Sequence, residues 1–140
     1  MRLHRVIKPT VLVAFASLLI AACAGGAQPD NEQVKRGRVI YAASCQVCHG
    51  NAVTGENALD GAPTHGPDGH TWHHADGQLA GIILGQLIYP DRTMPSFEET
   101  LSEDDVTAIL TFFKTNWLSE QLEFQAEATR NWEELQKDSQ

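Results

Sequence analysis

Apolar side chains recur at helical spacing in four segments of the chain, and each segment is bounded by polar or glycine residues. The predicted helices run from about 31 to 43, from 76 to 85, from 103 to about 117, and from 120 to about 137. The third is the best specified, because Ser102 can cap it, acidic residues fill its first turn, and five large apolar residues follow. No alternation typical of strands is evident in the sequence, so the predicted fold class is all-α.

The segments between the predicted helices, 49–75 and 86–100, are rich in glycine, proline and polar residues, and they are predicted to be loops. Gly37 lies inside the first helix, where glycine costs roughly 0.5–1 kcal/mol relative to alanine. Its presence there predicts close approach by another backbone. The last helix places five residues on roughly one face, which predicts packing on the domain or on a partner. They are Leu122, Ala126, Thr129, Trp132 and Leu135.

The first 22 residues have the pattern of an export signal, in which basic residues precede an apolar run at 11–20. The basic residues are Arg2, Arg5 and Lys8. The run is shorter than the roughly 20 residues that a membrane-spanning helix needs. The sequence I-A-A-C, which ends at Cys23, resembles a bacterial lipobox and predicts a lipidated N-terminal Cys23. Ordinary cleavage after Ala24 is the alternative. The predicted location is the outer face of the cytoplasmic membrane or the periplasm.

The length of 140 residues leaves room for one ordinary domain. We expect a tether over 23–30, a domain over 31–118 and a helical extension over 119–140. Acidic residues outnumber basic ones by 18 to 10, and removal of 1–22 leaves 7 basic residues and a net charge of −11. A nucleic-acid-binding domain needs a basic face, so this class of partner is excluded.

Cys45, Cys48 and His49 form a C-x-x-C-H sequence, the covalent attachment signature of c-type haem. The two thiols are spaced to add across the two vinyl groups of one porphyrin, and the adjacent imidazole then reaches the iron. A thioredoxin-like redox pair would need a βαβ context, and a zinc site would need a second cysteine pair. The motif therefore predicts one covalent haem c with His49 as an axial ligand.

Met94 is the candidate for the second axial ligand, because it is the only methionine that remains after the signal is removed. It precedes Pro95 in a loop before the third predicted helix, where a rigid loop can bring the thioether to the far face of the ring. The alternative is a methionine that only fills space in the core.

Four histidines lie between His65 and His74. Imidazoles suit Cu²⁺ and Zn²⁺, so His70, His73 and His74 are candidates for a second metal site. In the alternative interpretation, Trp72 contacts the haem edge, and the histidines form hydrogen bonds with haem propionates or water.

The order of the helices, C-x-x-C-H, Met-Pro and a closing helix resembles the class I, mono-haem cytochrome c family over about residues 31–118. The segment G-H-T-W-H-H is similar to one in a subgroup of bacterial membrane-associated, lipoprotein-type cytochromes c. The resemblance implies a small all-α fold around one haem, with an added C-terminal helix. It implies that Gly37 and Tyr41 pack near Phe112. It also implies that the carbonyl of Pro63, or of its rival Pro67, accepts a hydrogen bond from the His49 ring.

Two protein ligands on the iron leave no position for a substrate, which favours electron transfer over enzyme catalysis. The predicted function is a membrane-tethered carrier that passes single electrons between redox complexes, such as a terminal oxidase and its electron donor. One alternative is a haem sensor or small peroxidase in which Met94 dissociates. Another is a copper-handling module that uses the His65–His74 cluster. The extension over 119–140 raises a further variant, a fixed subunit of a larger complex.

Overall fold

A computed structural model describes residues 31–87 and 89–139 of the chain. In these residues the chain forms five α-helices and one 3₁₀ turn, without a strand. They are α1 (Asn31–Ser44), α2 (Gln46–His49), the 3₁₀ turn (Thr71–His73), α3 (Asp76–Leu84), α4 (Glu103–Lys114) and α5 (Ser119–Asp138). The all-α fold class is confirmed. None of the helices in the described part of the chain has the length and apolar character needed to cross a membrane. The expected signal, Cys23 and the tether lie outside the described residues.

Helices α1 and α4 cross at Gly37, and this crossing is the centre of the fold. A Cβ atom at Gly37 would overlap the backbone carbonyl of Ala108, so the two helices approach more closely than any other residue allows. One turn further along α1, the buried ring of Tyr41 packs 5.9 Å from Phe112 and 5.5 Å from Phe113, measured between ring centroids. The predicted close approach of Gly37 and the packing of Tyr41 are confirmed.

The N-terminus of α4 is capped by its own first turn and tied to α1. The Ser102 hydroxyl accepts a hydrogen bond from the Asp105 backbone N–H at 3.2 Å, and Asp105 Oδ2 accepts one from the Ser102 N–H at 3.0 Å. Asp105 Oδ1 also accepts a hydrogen bond from Arg36 Nη2 at 2.7 Å. The capping pair therefore sets the start of α4 and also its position against α1.

Helix α4 ends at Lys114, three residues before the predicted end. The side chains of Thr115 and Asn116 donate hydrogen bonds to the Phe112 carbonyl at 2.7 and 3.1 Å, in place of a continued helical ladder. Trp117 is buried nonetheless, and its indole N–H donates to the His65 carbonyl at 2.8 Å. Trp117 fits the helical spacing of the apolar residues in α4, but it lies in the turn that follows the helix and packs into the core from there.

Helix α5 packs back on the domain, with Thr129 and Trp132 of the predicted face against α3 but with its most buried positions outside that face. Its buried residues are Gln121 and Gln125, whereas Leu122, Ala126 and Leu135 are exposed. Gln121 donates to the carbonyl of Pro67 at 2.8 Å, and Gln125 donates to the carbonyl of His74 at 3.4 Å. Both of these acceptors are backbone carbonyls, so amide side chains fit these two positions better than leucines do.

Candidate functional site

The two motif cysteines and His49 lie at the start of the loop region, where α1 gives way to the single turn of α2. The backbone N–H of His49 donates to the carbonyl of Cys45 at 2.9 Å. This helical spacing places Cys45, Cys48 and His49 on neighbouring positions of one face. The sequence pattern did not predict α2, because four residues are too few to show a period.

The ring of His49 is fixed by a hydrogen bond to the backbone. Its Nδ1 lies 2.8 Å from the carbonyl oxygen of Pro63. A carbonyl can only accept, so Nδ1 carries the proton and Nε2 keeps its lone pair for a metal. The carbonyl of Pro67, the rival partner, accepts from Trp72 Nε1 at 3.3 Å and from Gln121 Nε2 at 2.8 Å instead.

The electrostatics of the cysteine pair differ from those of a redox-active pair. Burial raises the pKa of the Cys45 thiol to about 11, and the proximity of Cys48 adds to the increase. Catalytic cysteines have lowered pKa values, because the thiolate is the reactive form. Cys45 is thus a protonated thiol at neutral pH, which disfavours thioredoxin-like chemistry.

An apolar cavity of about 140 Å³ opens beside His49. Cys45, His49 and Met94 line it, and the rest of its wall is largely apolar. The apolar residues are Leu79, Ile82, Ile83, Ile109, Leu110 and Phe113. A more open cleft adjoins it, sharing Cys45, His49 and Met94 and adding Cys48. Two thiols, an imidazole with a free nitrogen, a thioether and apolar walls are a donor set that fits a covalent haem.

His65 lines this site, whereas the sequence placed it only in the histidine cluster, as a copper-site candidate or as a hydrogen-bonding partner of haem propionates or water. Its ring lies between His49 and Phe113, with centroids 4.7 and 4.3 Å away. The Thr71 hydroxyl donates to the Thr64 carbonyl at 3.2 Å, so its oxygen accepts from His65 Nδ1, which lies 2.8 Å away. Burial lowers the pKa of His65 to about 3, and His49 adds to the decrease. His65 is therefore a neutral part of the cavity wall. Nothing in the spacing of the histidines distinguished it.

The other three histidines are close together but lie in different surroundings. The rings of His73 and His74 lie 4.3 and 5.1 Å from that of His70. His70 and His74 line the cavity, whereas His73 stacks on Trp72 at 3.6 Å. Burial lowers the pKa of His74, and the two neighbouring imidazoles lower it further. Within 31–87 and 89–139, no group of three or more His, Cys, Asp or Glu side chains is placed to hold a metal ion. The geometry gives no support to a second metal.

Trp72 lies against α5 and is not among the described residues that line the cavity. Its ring meets Phe124 edge to face with centroids 5.6 Å apart. Packing between the 3₁₀ turn and α5 accounts for the position of Trp72, and its haem contact stays a prediction. Arg92 is a further residue that the pattern did not single out, and its Nε donates to the carbonyl of Met94 at 2.7 Å.

Comparison with known proteins gives one family match. The family described as cytochrome c oxidase, cbb3-type, subunit III matches residues 32–113. The matched range contains the C-x-x-C-H motif, Met94 and almost all of α4, and it ends before α5. Searches of curated proteins and of solved structures found no match.

Proposed function

The chain belongs to the family described as cytochrome c oxidase, cbb3-type, subunit III, and from this membership we propose that it carries single electrons through one covalent haem c. In this proposal Cys45 and Cys48 attach the haem, and His49 and Met94 are its axial ligands. One observation carries the proposal: His49 and Met94 line one cavity, with Cys45 beside them and apolar side chains around them.

Each residue has a defined task in this function. The Pro63 carbonyl holds the His49 ring in the tautomer that presents Nε2, and Met94 offers its thioether sulfur. The apolar side chains of α3 and α4 exclude water from the cavity. When bound, the haem supplies a one-electron redox centre, whose potential is raised by His/Met ligation and by burial. If His49 and Met94 both held the iron, no position on it would be left for a substrate, and this arrangement would favour an electron carrier over an enzyme.

The open cleft is the proposed route for electrons. Its lining includes exposed apolar side chains next to the cysteine motif, and such side chains favour contact with another protein. They are Val47, Leu59 and Tyr89. The family description names a terminal oxidase, which supports an oxidase or its electron donor as the partner. Export and lipidation at Cys23 would hold the domain at the membrane surface where such complexes lie.

The visible spectra of the ferric and ferrous protein, with mass spectrometry of the same sample, test this function. We expect low-spin spectra in both states and one haem mass added to the chain. Met94→Leu should give a ferric haem that binds cyanide or imidazole readily, whereas His73→Gln, outside the cavity, should leave the spectrum unchanged. Rapid binding of carbon monoxide to the unaltered ferrous protein would contradict the proposal and favour the sensor or peroxidase alternative.

The membrane tether is tested separately by Cys23→Ser. We expect the unaltered protein to sediment with membranes and to carry a diacylated N-terminal cysteine, and the variant to become soluble with its haem intact. A variant that stays with the membrane fraction after a high-salt wash would contradict lipid anchoring.

A further inference from the structure

The end of α3 is bound to the loop that carries Met94. The last carbonyls of a helix have no partner within the helix and need one from elsewhere. Here the Ile83 carbonyl accepts from the Phe97 N–H at 3.1 Å, and the Leu84 carbonyl accepts from the Ser96 hydroxyl at 2.7 Å. Both donors lie within three residues after Met94. The loop therefore completes α3 on the C-terminal side of the methionine.

On the other side of Met94, Arg92 makes the corresponding connection with a single side chain. Its Nη1 donates to the Ile82 carbonyl of α3 at 2.6 Å, its Nε to the Met94 carbonyl at 2.7 Å, and its Nη2 to the Pro95 carbonyl at 2.8 Å. Nη1 also lies 3.3 Å from the carbonyl of Leu87. All three guanidinium nitrogens are thus used on backbone oxygens.

This arrangement needs the shape of arginine as well as its charge. The guanidinium is planar and presents its donors in a rigid fork, whereas the lysine ammonium is one point at the end of a flexible chain. A cation at the C-terminal end of a helix is favourable because it faces the negative end of the helix dipole. Arg92 therefore connects α3 to the backbone of Met94 and Pro95, which sets the position from which the methionine side chain extends.

We propose that Arg92 is the positioning residue for Met94: it holds the methionine backbone in register with α3 so that the sulfur stays at the iron. The inference rests on the proposed function, in which Met94 is an axial ligand. Helix α3 also contributes Leu79, Ile82 and Ile83 to the cavity wall. A loop fixed to α3 is therefore fixed relative to the cavity that holds the haem.

Loss of the fork should shift the equilibrium towards a dissociated Met94. Without Arg92 the Met94 and Pro95 carbonyls lose their charged donor, and hydrogen bonds to charged groups are among the stronger ones in proteins. The loop then has more conformations open to it, and most of them move the sulfur away. We expect exogenous ligands to bind at least about tenfold faster where sulfur dissociation limits their binding.

The test compares haem-loaded Arg92→Lys and Arg92→Gln with the unaltered protein. The readouts are the sulfur-to-iron charge-transfer absorption of the ferric form, the methionine methyl resonance of the ferrous form, and the rate of cyanide binding at saturating cyanide. Both variants should lose absorption and bind cyanide about tenfold faster or more. Arg36→Gln is the matched control, because Arg36 bonds Asp105 and does not contact the loop. It should leave the rate within about twofold.

Three of the following results would contradict this assignment, and one would overturn the requirement for the guanidinium fork. An unaltered protein without the sulfur–iron signature would overturn the proposed function and the inference together. A normal signature that persists at the same strength and rate in Arg92→Gln would overturn the inference alone. An Arg92→Lys variant with the absorption and cyanide-binding rate of the unaltered protein would show that the positive charge suffices without the fork. This comparison can be made even if Arg92→Gln does not retain haem. An equal rate increase in Arg36→Gln would indicate a general loss of stability.

Discussion

The side-chain amide of Gln125 in α5 donates a hydrogen bond to Oδ1 of Asp76, the first residue of α3, across 2.7 Å. Lys114 at the end of α4 bonds the other oxygen of the same carboxylate at 2.6 Å, so Asp76 joins three helices. Gln125 is only 1% exposed. The C-terminal helix is therefore held to the domain by a buried polar contact, although the matched family range ends before it.

Replacing Gln125 with leucine should destabilise the protein by about 1–3 kcal/mol, because it removes a hydrogen bond to the Asp76 carboxylate and leaves the partly buried His74 carbonyl without this donor. The free energy of unfolding by denaturant, followed by far-UV circular dichroism, measures this. Gln136→Leu is the matched control, since Gln136 is exposed on the same helix. Haem absorption should be unaffected in both variants. Equal stability of the two variants would show that α5 is not held through Gln125.

Gly37→Ala should destabilise the haem-loaded protein by about 1–3 kcal/mol, the usual cost of adding a methyl group to a packed contact. The new Cβ would meet the Ala108 carbonyl, and backbone cannot move aside as a flexible side chain can. The midpoint of denaturant unfolding gives the effect. Val39→Ala, at an exposed site on the same helix, should change stability by about 0.5 kcal/mol or less. A stabilised Gly37→Ala, as expected from helix propensity alone, would contradict the crossing.

Local patterns predicted the elements that depend on near neighbours. The Ser102 cap, the acidic first turn and the apolar period placed α4, and Gly85, at a φ of 76°, ends α3 where expected. The close approach of another backbone at Gly37 could be predicted, because a glycine destabilises a helix interior and tertiary packing is needed to offset that cost. C-x-x-C-H predicts the attachment site by the spacing of its own residues, without any tertiary contact.

The features that the sequence did not predict depend on contacts between segments far apart in the chain. The buried face of α5 is set by the carbonyls of Pro67 and His74, about fifty residues away in sequence, and a search for apolar periodicity ignores glutamines. The contact of Trp72 with Phe124 could not be predicted, because no local signal placed α5 beside the 3₁₀ turn. Arg92 had no signature, since its partners are backbone oxygens that every residue possesses.

Haem attachment should depend on the two motif cysteines and not on the third. Thiols add across vinyl groups without loss of atoms, so the mass of the complex should equal that of the chain plus the haem. Cys45→Ala or Cys48→Ala should keep one thioether bond, and the double variant should release its haem in acidic acetone. Cys23→Ser is the control and should keep the haem covalent. Haem staining after denaturing electrophoresis measures all four, and a covalent haem in the double variant would contradict the assignment.

Asp105 should make stability depend on pH in the acidic range. The pKa of its carboxyl lies below the ordinary value because the Ser102 hydroxyl and backbone N–H bond the charged form, and Arg36 adds to this. A lowered folded-state pKa contributes stability that is present above the unfolded-state pKa of about 3.9 and is lost as the pH falls through the folded-state value. Asp105→Asn should therefore be less stable at pH 7, by about 1 kcal/mol. The gap, which is the difference in the free energy of unfolding between the unaltered protein and the variant, should narrow as the pH falls below about 4.

Unfolding by denaturant at several pH values between neutral and strongly acidic measures that gap. Asp104→Asn is the matched control, because Asp104 lies in the same first turn of α4 and shares its helix dipole but makes none of the contacts with Ser102 or Arg36. The control should show a smaller gap, because it loses only the interaction with the dipole. A gap for Asp105→Asn that stays constant down to the acidic limit would mean that the carboxylate charge does not hold α4 against α1, and that shape alone does so.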